Sequence, residues 1–91
     1  MTIANTTFSR HHYDARGDAL YLSAEGYVGP PAKASSTPEG HNIEYDEDGR
    51  VIGMTLTNVR RLLDQRGDVA LSALLGQISA EQLAPVLPQR A

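Results

Sequence analysis

The chain has 91 residues, a net charge of −3 and no cysteine, which together allow one domain and exclude disulfide bonds and cysteine-ligated zinc. Arg60 and Arg61 form the only adjacent basic pair, so the basic stripe typical of nucleic-acid binders is absent. The first ten residues resemble no signal peptide, and no window reaches the roughly 18 apolar residues of a membrane span. We therefore expect one cytoplasmic domain over residues 1–91, with neither nucleic acid nor a membrane as partner.

The polar N-terminus predicts a flexible end over residues 1–7, followed by a first β-hairpin over residues 8–24. Tyr13 ends one strand, residues 14–18 supply the turn, and residues 19–23 form the returning strand. Gly17 is expected to take the positive φ that a tight turn needs. Asp14 is expected to accept hydrogen bonds from nearby backbone amides.

The segment 25–40 is rich in Gly, Pro, Ser and Ala, and contains a Gly-Pro-Pro and a Ser-Ser-Thr-Pro sequence. Proline removes a backbone donor and interrupts strand ladders. The composition therefore predicts an exposed loop over the whole of residues 25–40.

A second hairpin is predicted over residues 42–57. Its turn reads Asp46-Glu47-Asp48-Gly49, and Asp-Gly is among the strongest short hairpin signals. In the returning strand, Ile52, Met54 and Leu56 share one face at a period of two residues, and we expect this face to pack on the helix. Gly53 within this strand indicates a bulge or a close approach of another backbone.

After residue 57 the pattern becomes helical. Asn58 is a suitable N-cap for a short helix over Val59–Gln65, and Gly67 is a suitable C-terminal stop. The apolar run 69–75 suits a strand or a buried helical turn, and we favour the strand.

Ser79 and Gln82 have the spacing of a capping box at the start of a final helix. Pro85 should shorten or kink that helix, and Pro88 should end it before a flexible end over residues 88–91. The predicted fold is α+β, a small antiparallel β-meander of two hairpins with a short helix and a C-terminal helix packed on it.

Two stretches resemble the bacterial domain-of-unknown-function family 2283. The first is Tyr13-Asp14, three further residues and Asp18-Ala19-Leu20-Tyr21-Leu22, and the second runs from Tyr45 to Gly53. The resemblance implies a compact β-meander with an accompanying helix. Similar proteins carry an acidic residue at the position of Thr55, and an Ala-Ser-Lys-like segment near residues 58–60. Smaller members resemble partners of small toxin-like proteins, which implies an antitoxin-like role.

Four carboxylates, those of Glu44, Asp46, Glu47 and Asp48, lie within five residues. The spacing of an EF-hand is missing, and strand geometry sends these side chains in different directions, so we expect a solvated turn and no metal site. Such a turn would still form an acidic lobe that attracts a basic protein partner. These four residues are the predicted partner-binding site.

A different hypothesis is a small-molecule-binding protein or enzyme. On a strand His12 and Asp14 share a face, and a His–Asp pair with Tyr13 and His41 would supply the groups of a general base. No nucleophile motif, phosphate-binding loop or cofactor signature accompanies them. A third hypothesis is nucleic-acid binding through Arg60, Arg61 and Arg66.

We favour a non-catalytic protein-interaction module without a cofactor, which meets a basic partner or a second copy of itself. The reasons are a small core, which buries only about 60–65% of the unfolded surface, and sheet edges that are free to pair. The density of negative charge in the second hairpin is the third reason.

Overall fold

The computed structural model describes residues 2–3, 6–24, 30–72 and 76–87. The strands are β1 (Thr2–Ile3), β2 (Thr6–Asp14), β3 (Ala19–Ala24), β4 (Lys33–Ser36), β5 (Asn42–Tyr45), β6 (Val51–Thr57), β7 (Asp68–Leu71) and β8 (Gly76–Ser79). The helices are α1 (Val59–Arg66) and α2 (Ala80–Leu83), with a 3₁₀ turn at Ala84–Val86. The predicted α+β class is confirmed.

Six strands form one antiparallel sheet in the order β1-β2-β3-β6-β5-β4, and β7 pairs with β8. The two predicted hairpins are β2–β3 and β5–β6, and the pairing of β3 with β6 joins them. In that pairing Leu20 lies opposite Leu56, and Leu22 lies opposite Met54. Because side chains alternate along a strand, these four apolar side chains share one face of the sheet.

This apolar face is the only one that the other elements cover in the described part of the chain. The sheet contributes Leu20, Leu22, Ile43, Met54 and Leu56 to the core, and the elements that follow β6 contribute Val59, Val69, Leu71, Ile78 and Leu83. Helix α1 contacts β7, and the 3₁₀ turn contacts β2. The described covering elements therefore lie on one side of the sheet.

The prediction of a loop over the whole of residues 25–40 is wrong, because Lys33–Ser36 form strand β4, which pairs with β5. The proline that follows β4 explains the error. Pro38 lies second in the turn 37–40, where its fixed φ is favourable, and the amide of Gly40 donates to the carbonyl of Thr37 at 3.0 Å. Proline therefore closes a hairpin here. Residues 25–29 lie outside the described residues.

Part of the predicted flexible end over residues 1–7 forms a strand where the structure describes it. Strand β1 pairs with the start of β2, with Thr2 opposite Thr7 and Ile3 opposite Thr6. The side chain of Ile3 is only 9% exposed and belongs to the core, which explains why this short segment is held. The other predicted flexible end, residues 88–91, lies outside the described residues.

The irregularity predicted from Gly53 is confirmed. Glu44 pairs with Gly53 and Tyr45 with Val51, so Ile52 is the extra residue of a bulge. A Cβ at Gly53 would lie 2.8 Å from a carboxylate oxygen of Glu44, so a larger residue would require the Glu44 side chain to move. The bulge shifts the alternation, and Val51 rather than Ile52 joins the core cluster. Ile52 is also buried but is not part of that cluster, so the predicted face is confirmed in the core for Met54 and Leu56.

Helix α1 begins at Val59 as predicted, but Asn58 does not cap it. Asn58 has φ 56° and its side chain makes no capping hydrogen bond. Asp18, far earlier in the chain, supplies the cap. Its carboxylate accepts hydrogen bonds from the backbone amides of Arg60 at 2.8 Å and Arg61 at 3.2 Å. Its backbone carbonyl accepts the amide of Val59 at 3.2 Å.

Tyr13 completes this contact, because its hydroxyl donates to the Asp18 carboxylate at 2.6 Å. Partial burial alone would raise the pKa of Asp18, but the hydrogen bonds from Tyr13, Arg60 and Arg61 outweigh it and lower that pKa. Asp18 has φ 51° and is therefore the left-handed residue of the turn. The sequence-based prediction that Gly17 takes this conformation is wrong. We call Tyr13, Asp18 and the first turn of α1 the aspartate latch.

The C-terminal half contains three predicted features. Gly67 ends α1 with φ 81°, and its amide donates to the carbonyl of Leu63. The capping box of Ser79 and Gln82 is present in both directions. Pro85 lies in the 3₁₀ turn that follows α2, so the helix is shortened as expected. Strand β7 agrees with the favoured strand for residues 69–71, whereas residues 73–75 lie outside the described part.

We predict that Asp18→Asn lowers the free energy of unfolding by about 1–2 kcal/mol, the usual contribution of a helix cap. Asparagine tolerates the left-handed conformation and keeps one acceptor oxygen, so the change removes the negative charge and the second acceptor of the cap. Urea unfolding followed by circular dichroism measures the effect. Asp14→Asn is the matched control, since Asp14 accepts only the amide of Arg16 within the turn. Equal stability of the two variants would contradict the capping role of Asp18.

Candidate functional site

The four side chains of the enzyme hypothesis do not converge. His12 lies opposite Tyr21 on the sheet face that the core does not use, and Asp14 shares that face. Tyr13 points to the other face, where its hydroxyl is bonded to Asp18. His41 directly precedes β5, three strands away from β2 in the sheet order. The structure therefore brings His12 and Asp14 to one face but separates both from Tyr13 and His41.

His41 is held inside the protein, with only 1% of its surface exposed. Its Nδ1 accepts a hydrogen bond from the backbone amide of Thr57 at 3.0 Å, and its own amide donates to the Thr37 hydroxyl at 3.1 Å. Its Nε2 has no hydrogen-bond partner among the described residues. Since Nδ1 must be unprotonated to accept, His41 joins the turn before β5 to the end of β6 as a neutral ring.

Burial lowers the pKa of His41 because the charged ring loses its hydration, and the carboxylate of Glu39 offsets this only in part. Glu39 itself is bonded to the hydroxyl and the amide of Ser72, and the Ser72 hydroxyl contact lowers the pKa of Glu39. The ring of His41 thus has a structural role in the described chain.

The four acidic residues also have different roles. The Asp46 carboxylate accepts the backbone amides of Asp48 and Arg50, both at 2.9 Å, so it stabilises the turn. Glu47 and Asp48 are exposed at the tip. Glu44 is half-buried and its carboxylate lies over Gly53 on the sheet. Only Glu47 and Asp48 therefore present their charge freely at the turn.

A cleft of ≈ 560 Å³ opens beside this turn. Its described lining consists of Pro30, Pro31, Ala32, Asp46, Glu47 and Asp48, and we call it the acidic cleft. One wall is formed by prolines and the other by carboxylates. A neighbouring hollow of ≈ 440 Å³ continues it to Lys33, the first residue of β4. The acidic cleft therefore leads directly to the edge of the sheet.

Strand β4 is that edge, and its outward backbone groups can be identified. The amide of Thr37 donates to the carbonyl of His41, so this pair is hydrogen-bonded. Hydrogen-bonded pairs alternate along an antiparallel ladder, so Ser35 with Ile43 is the next such pair. The amides of Ala34 and Ser36 therefore point away from β5. No described strand lies beyond them.

The arginines of the nucleic-acid hypothesis are not equivalent. The guanidinium of Arg60 lies 5.9 Å from the centre of the Tyr13 ring, and the residue is half-buried. Arg61 and Arg66 are exposed. The contact with Tyr13 ties Arg60 to the aspartate latch and leaves two exposed arginines on α1.

Sequence reasoning missed the sheet face opposite the core. The register places His12, Tyr21, Thr55, Asn42 and Ser36 in one row, and Arg10, Ser23, Gly53, Glu44 and Ala34 in the next. We call these two rows the open face. Tyr21 is 44% exposed and stacks on His12, with ring centroids 6.2 Å apart. The alternation of polar residues in β3, β5 and β6 was the available signal.

Within the described ranges, no group of three His, Asp or Glu side chains could hold a metal ion. At the acidic turn, the carboxylate of Asp46 is bonded to the backbone amides of Asp48 and Arg50 and does not join Glu47 and Asp48 in such a group. In the same ranges no helix is long and apolar enough to cross a membrane.

The model of the family DUF2283, whose description is "protein of unknown function", matches residues 10–60, more than half of the chain. The chain belongs to the DUF2283 family. The matched region extends from β2 to the start of α1, so the DUF2283 segment contains Tyr13 and Asp18 of the aspartate latch, the acidic turn and the open face. No curated protein and no solved structure matches the chain.

We predict that the stability of the protein decreases as the pH falls below about 6.5, the ordinary pKa of histidine. The lowered pKa of His41 means that the unfolded chain binds a proton at a pH where the folded protein does not, so acid favours unfolding. Urea unfolding at a series of pH values measures this dependence.

His41→Asn should flatten that pH dependence, because asparagine does not titrate and its oxygen can accept the amide of Thr57. His12→Asn, at an exposed position, is the control that keeps His41. A pH dependence of His41→Asn as steep as that of the wild type would contradict this role of His41.

Proposed function

We propose that this DUF2283 protein is a cytoplasmic, non-catalytic protein-interaction module that binds an extended, basic segment of a partner protein. The observation that carries the proposal is the position of the unpaired β4 edge beside the acidic cleft. One surface thus offers backbone hydrogen bonds and negative charge to the same partner segment.

The backbone part of this binding is strand addition. The amides of Ala34 and Ser36 point outward, and an added strand would pair with them. The side chains of Ala34 and Ser36 are small and exposed, so an incoming strand meets little steric hindrance. Lys33 at the start of the edge disfavours indiscriminate strand pairing, which agrees with a selective partner.

The charge part comes from the tip of the turn. Glu47 and Asp48 form the acidic wall, while Pro30 and Pro31 provide an apolar wall. A lysine or arginine side chain fits such a site, because its aliphatic stem packs on prolines while its charged head meets carboxylates. Charge at an exposed rim mainly accelerates association, so its contribution decreases with salt.

We predict that Glu47→Lys slows association with a short, labelled peptide of alternating arginine and valine by several-fold at low salt. Stopped-flow fluorescence measures the rate, and its dependence on salt should weaken in the variant. Glu81→Lys is the matched control, because it makes the same charge change on α2. Asp46 is not substituted in this test, because its carboxylate accepts the hydrogen bonds that stabilise the turn.

Ala34→Pro tests the strand addition separately. Proline removes an outward amide without removing a β4–β5 hydrogen bond, and edge strands tolerate it. The variant should bind the same peptide more weakly while its association rate keeps the salt dependence of the wild type. The proposal is overturned if the wild type does not bind this peptide, or if both Glu47→Lys and Ala34→Pro bind it like the wild type.

A further inference from the structure

The open face is a second surface, separate from the acidic cleft, that the described chain leaves without a covering element. The core uses the opposite face, where α1, β7, β8 and α2 pack. Ten side-chain positions in two rows extend across β2, β3, β6, β5 and β4. An antiparallel sheet can leave one face to solvent, so the side chains on this face decide whether it can also bind a partner.

Half of the ten positions on the open face carry small residues. Ser23, Gly53 and Ala34 occupy one row, and in the other row Thr55 lies beside Tyr21 while Ser36 lies at the β4 end. Tyr21, stacked on His12, is the one large apolar group exposed in the described chain. Small residues allow a second sheet to approach to the usual spacing of about 10 Å. Tyrosine is favoured at such interfaces because it is apolar along its ring and polar at its end.

The charges on this face are complementary across its centre. Arg10 on β2 and Glu44 on β5 lie in the same row, with β3 and β6 between them. Three strand spacings separate them by about 14 Å, so they do not pair with each other. Neither side chain makes a hydrogen bond or ion pair within the described part of the chain.

We propose that the open face binds a second copy of this chain, with the two sheets packed face to face about a two-fold axis. An axis parallel to the strands, between β3 and β6, exchanges β2 with β5. This operation places Arg10 over Glu44 of the second copy, and Glu44 over Arg10 of the second copy. The same operation places Tyr21 over Thr55 of the second copy.

The twist of packed sheets preserves this pairing. Aligned sheets differ in direction by about 30°, which displaces side chains about 7 Å from the axis by roughly 4 Å. An arginine side chain spans that displacement. A partner with charge of one sign would leave either Arg10 or Glu44 unpaired, whereas an identical face satisfies both. The occupant with matching chemistry is therefore the chain itself.

Sedimentation velocity of the full chain tests this proposal over protein concentrations of about 5–500 µM, the range in which an interface of this small size would dissociate. The wild type should change from monomer to dimer across the range. Arg10→Glu and Glu44→Lys should each weaken dimerisation about tenfold or more through like-charge contacts, and the double variant should restore it. Arg16→Glu, at an exposed turn position, is the control and should dimerise like the wild type.

Three outcomes would overturn the proposal. One is a wild type that stays monomeric at every concentration, and another is a double variant that dimerises no better than the single ones. The third is a dimer that Ala34→Pro disrupts and Arg10→Glu does not, because it would indicate pairing of β4 edges. Glu47→Lys should leave the dimer unchanged, and Arg10→Glu should leave peptide binding unchanged. Failure of this proposal is thereby distinguished from failure of the proposed function.

Discussion

The carboxylate of Asp18 joins the first hairpin to the helix that follows the sheet. It accepts the hydroxyl of Tyr13 and the amides of Arg60 and Arg61, while its own backbone carbonyl accepts the amide of Val59. A helix start leaves several backbone amides without partners, and one distant residue satisfies three of them here. Because β6 leads directly into α1, this contact fixes the direction in which the chain leaves the sheet.

That direction determines which surfaces remain accessible. With α1 held beside the β2–β3 turn, the elements that follow pack on the apolar face of the sheet. The open face and the β4 edge then remain without described cover. Both proposed interaction surfaces therefore depend on the aspartate latch, although neither includes its residues. The two surfaces differ in chemistry, since the acidic cleft has one sign of charge and the open face has both.

Local signals predicted the features that depend on neighbours in sequence. The Asp-Gly turn, the start and end of α1 and the capping box of Ser79 and Gln82 are of this kind. Pairings between distant segments were not predictable in the same way. Asp18 caps a helix more than forty residues later, and Pro38 closes the β4–β5 hairpin only because β5 accepts β4 as a partner.

The same distinction applies to the candidate sites. The acidic turn was visible as a cluster of carboxylates, yet the inward role of Asp46 required the turn geometry. The open face combines residues from five strands, and its composition depends on the register and on the bulge at Ile52. The alternation of polar residues indicated that a solvent face exists. Which side chains become neighbours on it followed only from the strand order.

A charged Asp18 carboxylate holds the start of α1, and an NMR titration of that carboxyl group tests this role most directly. We predict a pKa of Asp18 below the ordinary aspartate value, with the amide resonances of Arg60 and Arg61 shifting at the same midpoint. An ordinary or raised pKa, with those two amides unchanged through the titration, would contradict it.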